Sequence, residues 1–256
     1  MICAELLKTI QKDVPPAYAM NWDNVGLLVG REDKEVNCVY LAVDATDQVI
    51  EDAAKKGADL LITHHPMIFS GMKKVVKEDF TGRRIIRLIE EDLSYYAMHT
   101  NYDVARMADL ASNILGLKDQ KVLEETENHL EGIGKIGNLN SMTVKECCEL
   151  VKEKFQLANV KLFGNPEQKV ERAAILPGSG KSCIDLALEK GAEVYITGDI
   201  DHHSGIDAVA RGLVVIDAGH YGIEKIFIHD MKEYLETKFP DLKVLEAPIE
   251  DPFVVL

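Results

Sequence analysis

Apolar and polar positions along this chain change period in blocks, between the unbroken apolar runs of buried strands and the 3.6-residue spacing of amphipathic helices. Residues 38–44 read as a buried strand, 46–56 as a helix stopped by Gly57, and 59–63 as a second buried strand. Two apolar strands joined through a helix make a unit of the parallel-sheet type. The same order returns at 172–176, 181–190, Gly191 and 193–197. Shifting the chain by 134 positions lays residues 39–71 on 173–205 without a gap, with nine identities in 33. Two helices sharing a stop signal would explain part of that. The shared string K-G-A-[DE]-x-x-I-T, followed by Ser-Gly at the same distance, favours a duplicated lobe. The period is far too long for a solenoid, so two facing copies are expected.

Each copy continues into a further strand, 94–98 and 213–217, and each of these ends in a polar loop. Ligands of open α/β sheets gather at the carboxyl ends of strands, where these loops fall. Between the copies, 143–155 reads as a helix opened by a capping box, Thr143-x-x-Glu146, with a turn at Gly164-Asn165-Pro166. At the N-terminus Ile2, Leu6, Leu7 and Ile10 share one helical face. The expectation is an α/β protein of two related lobes, an internal pseudo-repeat over 1–120 and 121–256 (or one composite domain), with a ligand site in the cleft between them.

Composition narrows the function. The 256 residues carry a formal charge of −14 and show no basic stripe, which argues against nucleic acid as a main partner. An anionic ligand would need a local positive charge, and bound metal is the obvious source. No window is long and apolar enough to span a membrane, and the first residues lack the basic start and apolar run of a signal peptide. The five cysteines contain no C-x-x-C pair and fit reduced, mostly buried thiols, so a cytoplasmic location is expected.

Thr63-His64-His65-Pro66 follows directly on a strand. Adjacent residues of an extended chain point to opposite sides, so His64 and His65 are suited to two ions better than to one. His220 and Glu224 stand one helical turn apart if a helix starts near Gly219, where the carboxylate could bridge two ions; an exposed polar turn is the plain alternative. Asp103 lies at the mouth of the strand 94–98 and is either a further ligand or a helix N-cap. His99, nearer that strand, reads as a partner to a ligand or a substrate contact more than as a ligand itself. Three imidazoles and two carboxylates set −2 against the +4 of two divalent ions. That imbalance invites a bridging hydroxide and an anionic substrate, and five side chains leave coordination positions open, as hydrolytic sites require. The mixed donors suit Zn, Fe, Mn or Co about equally.

The strings Asn21-Trp22-Asp23-Asn24-Val25-Gly26-Leu27, Ile62-Thr63-His64-His65-Pro66, His99-Thr100-Asn101-Tyr102-Asp103 and Gly219-His220-Tyr221-x-x-Glu224 resemble the Nif-three-like dinuclear metal-centre family. Its bacterial members are commonly labelled GTP cyclohydrolase I type 2 homologues. The resemblance runs from about Pro15 to about Lys238. It implies two α/β lobes, a di-metal site between them, a toroidal homohexamer, and the ligands His64, His65, Asp103, His220 and Glu224, with Glu224 as the bridge. The family's second-lobe Thr-Gly-Glu stands here as Thr197-Gly198-Asp199, and the long inserted domain of some members is absent. The reaction implied is metal-dependent hydrolysis of an anionic, nucleotide-like substrate, with opening of the guanine imidazole ring of GTP or phosphoester hydrolysis as versions. A metal (iron) carrier or insertion protein, or a metal-stabilised regulatory assembly, would use the same ligands.

Pro177-Gly178-Ser179-Gly180-Lys181-Ser182 imitates the end of a phosphate-binding loop, but such a loop needs Gly where Ile175 stands. A modest anion contact from Gly178, Ser179 and Gly180 is the expectation there. By the repeat Asp199 falls opposite His65 and is expected to line the site, with His202 and His203 on the substrate or solvent side. Trp22 reads as a core anchor rather than a stacking platform, and Asp23 and Asn24 as a turn.

Overall fold

A computed structural model describes residues 1–126 and 131–254. The chain opens with α1 (Cys3–Asp13), which buries Cys3, Leu6, Leu7 and Ile10 on one face and leaves Ile2 exposed. It continues through β1 (Gly26–Val29), β2 (Cys38–Ala42), α2 (Asp47–Lys55), β3 (Leu60–Thr63), α3 (Phe80–Glu90), β4 (Ser94–Ala97) and the single turn α4 (Thr100–Tyr102). A π-helical turn over Asp103–Met107 leads into α5 (Ala108–Leu115), followed by β5 (Lys118–Glu125), β6 (Gly132–Thr143) and α6 (Val144–Phe155). Then come β7 (Lys161–Phe163), β8 (Lys169–Ser179), α7 (Ile184–Glu189), β9 (Val194–Gly198), α8 (His202–Ala210), β10 (Val214–Asp217), α9 (His220–Glu224), α10 (Ile226–Lys238) and β11 (Lys243–Glu246).

These elements form two units, Met1–Ala105 with Phe227–Glu250, and Arg106–Ile226 with Asp251–Leu256. The first unit is discontinuous in sequence, because α10 and β11 return to it, where β11 adds to β2 in parallel. The first sheet has the order β1-β4-β3-β2-β11, and only β1 runs antiparallel. The second has the order β5-β6-β8-β9-β10-β7, with a parallel centre of β8, β9 and β10. β6 and β7 flank that centre antiparallel, and β5 pairs antiparallel with β6 at the edge.

The repeat survives at the level of register. Val39 pairs with Leu60 and Leu41 with Ile62; 134 positions later Ala173 pairs with Val194 and Ile175 with Ile196. Both crossover helices stop at the equivalent glycines, Gly57 (φ +70°) and Gly191 (φ +79°), in the left-handed region a side chain would resist. Thr46 caps α2 by accepting from the amide of Val49 at 3.2 Å, and Thr143 and Glu146 form the reciprocal capping box of α6.

Both faces of the central strands are covered, as apolar parallel strands require. In the second unit Ala173, Ile175, Val194, Ile196, Val214 and Ile216 face a core shared with α5 and α6, while Ala174, Leu176, Tyr195 and Val215 face another shared with α7 and α8. In the first unit Tyr40, Ala42, Leu61, Tyr95 and Ala97 pack with α2 and α3, and Val39, Leu41, Leu60 and Ile62 are buried on the reverse face. All five cysteines are buried and free, and among the described residues no helix is long and apolar enough to cross a membrane.

Candidate metal-binding residues

In the first unit the histidines stand where β3 and β4 run out. The ladder continues one step past β3, with the amides of His64 and His65 donating to Ala42 and Val43 carbonyls at 3.3 and 2.9 Å. The hydroxyls of Thr63 and Tyr95 both donate to the His65 carbonyl, at 2.8 and 2.9 Å. Burial pushes the Tyr95 phenol up to about 12, so it remains a donor throughout the neutral range.

The Nδ1 atoms of three imidazoles are each taken up by an oxygen. His64 Nδ1 meets the Met98 carbonyl at 2.9 Å, His65 Nδ1 the carboxylate of Asp44 at 2.8 Å, and His99 Nδ1 the carboxylate of Asp23 at 2.9 Å. These oxygens can only accept, so each Nδ1 carries a proton and Nε2, on the opposite side of the ring, is the atom that can take a ligand. The rings lie close together: His64 is 4.9 Å from His65 and 5.3 Å from His99 between centroids, and their ligand atoms fall within 4.8 Å of one another. His64 is fully buried, with Phe227 at 5.5 Å and Tyr102 at 6.0 Å against its ring, and the Tyr102 hydroxyl is anchored on Asp230 at 2.6 Å.

Asp23 is more than a turn residue. Its covered carboxylate accepts from His99 Nδ1, from the Thr100 amide at 3.0 Å and from the Thr100 hydroxyl. Burial raises its pKa, but the hydrogen bonds from His99 and Thr100 outweigh that and hold it at about 2. Its neighbour Trp22 corrects the core-anchor expectation: the indole is 64% exposed. Asp103 does not N-cap a helix; it follows α4 in helical conformation and starts the π-helical turn, its Oδ1 3.4 Å from His64 Nε2.

In the second unit His220 opens α9 after β10, and its Nδ1 meets Asp199 at 2.8 Å while Nε2 lies 3.0 Å from Glu224. Glu224 is only 3% exposed. Gly178, at φ +79°, explains how that carboxylate fits: a Cβ there would drive into Glu224 Oε1. Gly178 and Ser179 complete β8, and the carbonyl of Gly180 accepts the Tyr195 hydroxyl at 2.9 Å. Ile175 is fully buried strand, so no phosphate-binding loop begins there. His202 and His203 start α8, both exposed, with rings 5.2 Å apart.

These side chains fit a divalent cation. An Nε2 lone pair facing a carboxylate oxygen, as in His64–Asp103 and His220–Glu224, brings two acceptors together and is stable only with a positive charge between them, a proton or a metal ion. An acceptor behind each metal-facing imidazole is the usual arrangement at metal sites, because it fixes both tautomer and ring orientation. The sequence reading did not find Asp44, Asp23 and the Met98 carbonyl in that role. The available signal was topological: Asp44 follows β2, the parallel neighbour of β3, at the same end of the sheet.

The family profile of Duf34/NIF3 (NGG1p interacting factor 3) matches residues 1–252. A Clostridium acetobutylicum protein named GTP cyclohydrolase 1 type 2 homolog is 33% identical, over 91% of this chain and 88% of its own length. A Streptococcus pneumoniae protein of the same name is 34% identical, over 92% and 90%. The fold matches that of a Bacillus cereus protein related to NIF3, with a TM-score of 0.91 at 24% identity over 100% and 99% of the two chains. With its profile match, its relatives and its fold in agreement, the chain belongs to the Duf34/NIF3 family.

Proposed function

We propose that His64, His65, Asp103, His220 and Glu224 together hold two divalent metal ions, and that the protein hydrolyses an anionic, nucleotide-like substrate. The observation that carries the reading is the uniform treatment of the imidazoles. His64, His65 and His220 each turn Nδ1 to an oxygen acceptor, which fixes the ring and presents Nε2 on its opposite side. When bound, the ions supply Lewis acidity and lower the pKa of water.

The chain's own residues supply the rest. Asp103 and Glu224 contribute the negative charge that retains the cations and, with only two carboxylates, leave positive charge for an anionic substrate group. Glu224, nearly covered, is suited to bridging because Gly178 leaves room for it. His99 is held by Asp23 in the Nδ1–H form, so its Nε2 is a hydrogen-bond acceptor for a substrate group beside the other two imidazoles. Asp199 orients His220, and Gly178, Ser179 and Gly180 at the end of β8 would border the substrate.

The test is to purify the protein, identify its metal, and assay GTP and simple phosphoesters with a His65→Ala control. Metal-dependent turnover lost in the variant is the expected result. Tight metal uptake without turnover, together with transfer to a recipient protein, would replace the hydrolase by a metal carrier. The homohexamer that the family resemblance implies is tested by light scattering, and the cytoplasmic location expected from the cysteines by fractionation.

A further inference from the structure

Trp22 and Phe69 surround His99 with exposed aromatic surface. The indole is 64% and the phenyl ring 55% exposed, and each meets the imidazole edge-on at 5.9 Å between centroids, at 74° and 87°. Neither ring is exposed because its loop is loose. The Asp23 amide donates to the Met20 carbonyl at 2.9 Å, closing a turn at Trp22, and the Asp23 carboxylate is locked to His99 and Thr100. The Asn24 side chain then donates to the Ile68 carbonyl at 2.6 Å, which ties the Trp22 loop to the residue before Phe69. Folding has fixed two large apolar rings in place without collecting the burial that such rings ordinarily supply. Apolar walls with one or two placed polar atoms are the composition of small-molecule sites. The polar atom here is His99 Nε2, an acceptor because Nδ1 gives its proton to Asp23.

We propose that Trp22 and Phe69 form a stacking subsite for a flat nitrogen heteroaromatic ring of the nucleobase class, oriented by an N–H donated to His99 Nε2. A free phosphate has no face to stack and a ribose ring has no π-face, whereas every base does, and a stacked base gains about five- to 150-fold in affinity. The subsite deepens the functional reading above by naming how a nucleotide-like substrate is recognised, but the binding itself needs no metal.

Trp22 is the only tryptophan in the chain, so its fluorescence reports on this place alone. Protein stripped of metal by chelation and dialysis is titrated with guanosine, with ribose 5-phosphate as the control. The expected result is saturable quenching by guanosine, none by ribose 5-phosphate, and roughly tenfold weaker guanosine binding in Phe69→Ala with its starting spectrum unchanged. Non-saturating quenching equal to that of free tryptophan amide would overturn the proposal. So would an indole shielded from acrylamide in the ligand-free protein, since a second copy would then cover it. Loss of metal uptake or turnover leaves this curve unaffected, so the two readings fail separately.

Discussion

Asp199 accepts the Nδ1 proton of His220 at 2.8 Å while its own backbone is held at φ +57°. The left-handed region is tolerated by Asn and Asp and costs alanine about 1 kcal/mol. The two demands can therefore be separated by substitution. Asp199→Asn keeps the backbone and an acceptor but loses the charge, and its metal affinity should fall about tenfold. Asp199→Ala should lose about ten- to a hundredfold in affinity and also unfold at lower urea. Competition against a chromogenic chelator measures the first effect and urea melts the second. Wild-type affinity in the alanine variant would remove Asp199 from the site.

Asp23 makes a prediction about acid. Its pKa of about 2 in the folded protein lies below the ordinary 3.8. Above the ordinary value both folded and unfolded chains are ionised, and the hydrogen bonds to His99 and Thr100 contribute fully. As the pH falls below it, the unfolded chain takes up the proton first, so this contribution erodes down to about pH 2. The difference is worth about 2 kcal/mol. The urea stability of the wild type should therefore drop by about that much more than that of Asp23→Asn between pH 5 and pH 2. Parallel curves would show that the carboxylate is not stabilised in this way.

The parts of the fold legible from sequence were those with the strongest period. The buried strands β2, β3, β8 and β9 and their crossover helices announce themselves because parallel strands covered on both faces are unbroken apolar runs. β5 does not: its sequence KDQKVLEE buries only Leu123, as an edge strand can. β11 was missed for a related reason, since a short strand after a long helix has no local partner and finds β2 only in the folded chain. The helical stretch that opens at His220 is broken at Lys225, between α9 and α10, and no Gly or Pro there announces the break. Among site residues, His64, His65, His220 and Glu224 stood out as motifs on strand ends. Asp44, the partner of His65, and Asp23, the partner of His99, are distant in sequence from them, and only sheet order or tertiary packing brings them near. Trp22 was misjudged because an average preference for burial says nothing about a turn pinned by its neighbours.

Gly178 can be tested against a matched control. A methyl group at φ +79° costs about 1 kcal/mol of backbone strain and would also displace the Glu224 carboxylate. Gly57 sits at φ +70° with nothing within 4 Å of where its Cβ would be. Both alanine variants should lose similar stability. Only Gly178→Ala should bind metal more weakly, by tenfold or more. If the two variants bind metal equally well, the room that Gly178 leaves for Glu224 has no bearing on the metal.

The proposal makes His65 and His220 ligands of the same bound ions, and that sharing is a thermodynamic claim. If His65 and His220 serve the same bound metals, removing either side chain leaves the other with little to hold. The double variant His65→Ala/His220→Ala should then bind scarcely more weakly than the worse single variant, a coupling of about 1–3 kcal/mol in a double-mutant cycle. Independent sites would instead give additive losses, within about 0.5 kcal/mol. Calorimetric titration of the stripped protein and its three variants with zinc supplies all four corners of the cycle. Thermal melts offer a second route, because an ion that binds only the folded chain raises the melting temperature. A chelator should lower the melting temperature of the wild type and leave that of the double variant unchanged. Additive affinities together with a chelator effect that persists in the double variant would mean that the two half-sites act alone, and the hydrolytic proposal would lose its centre.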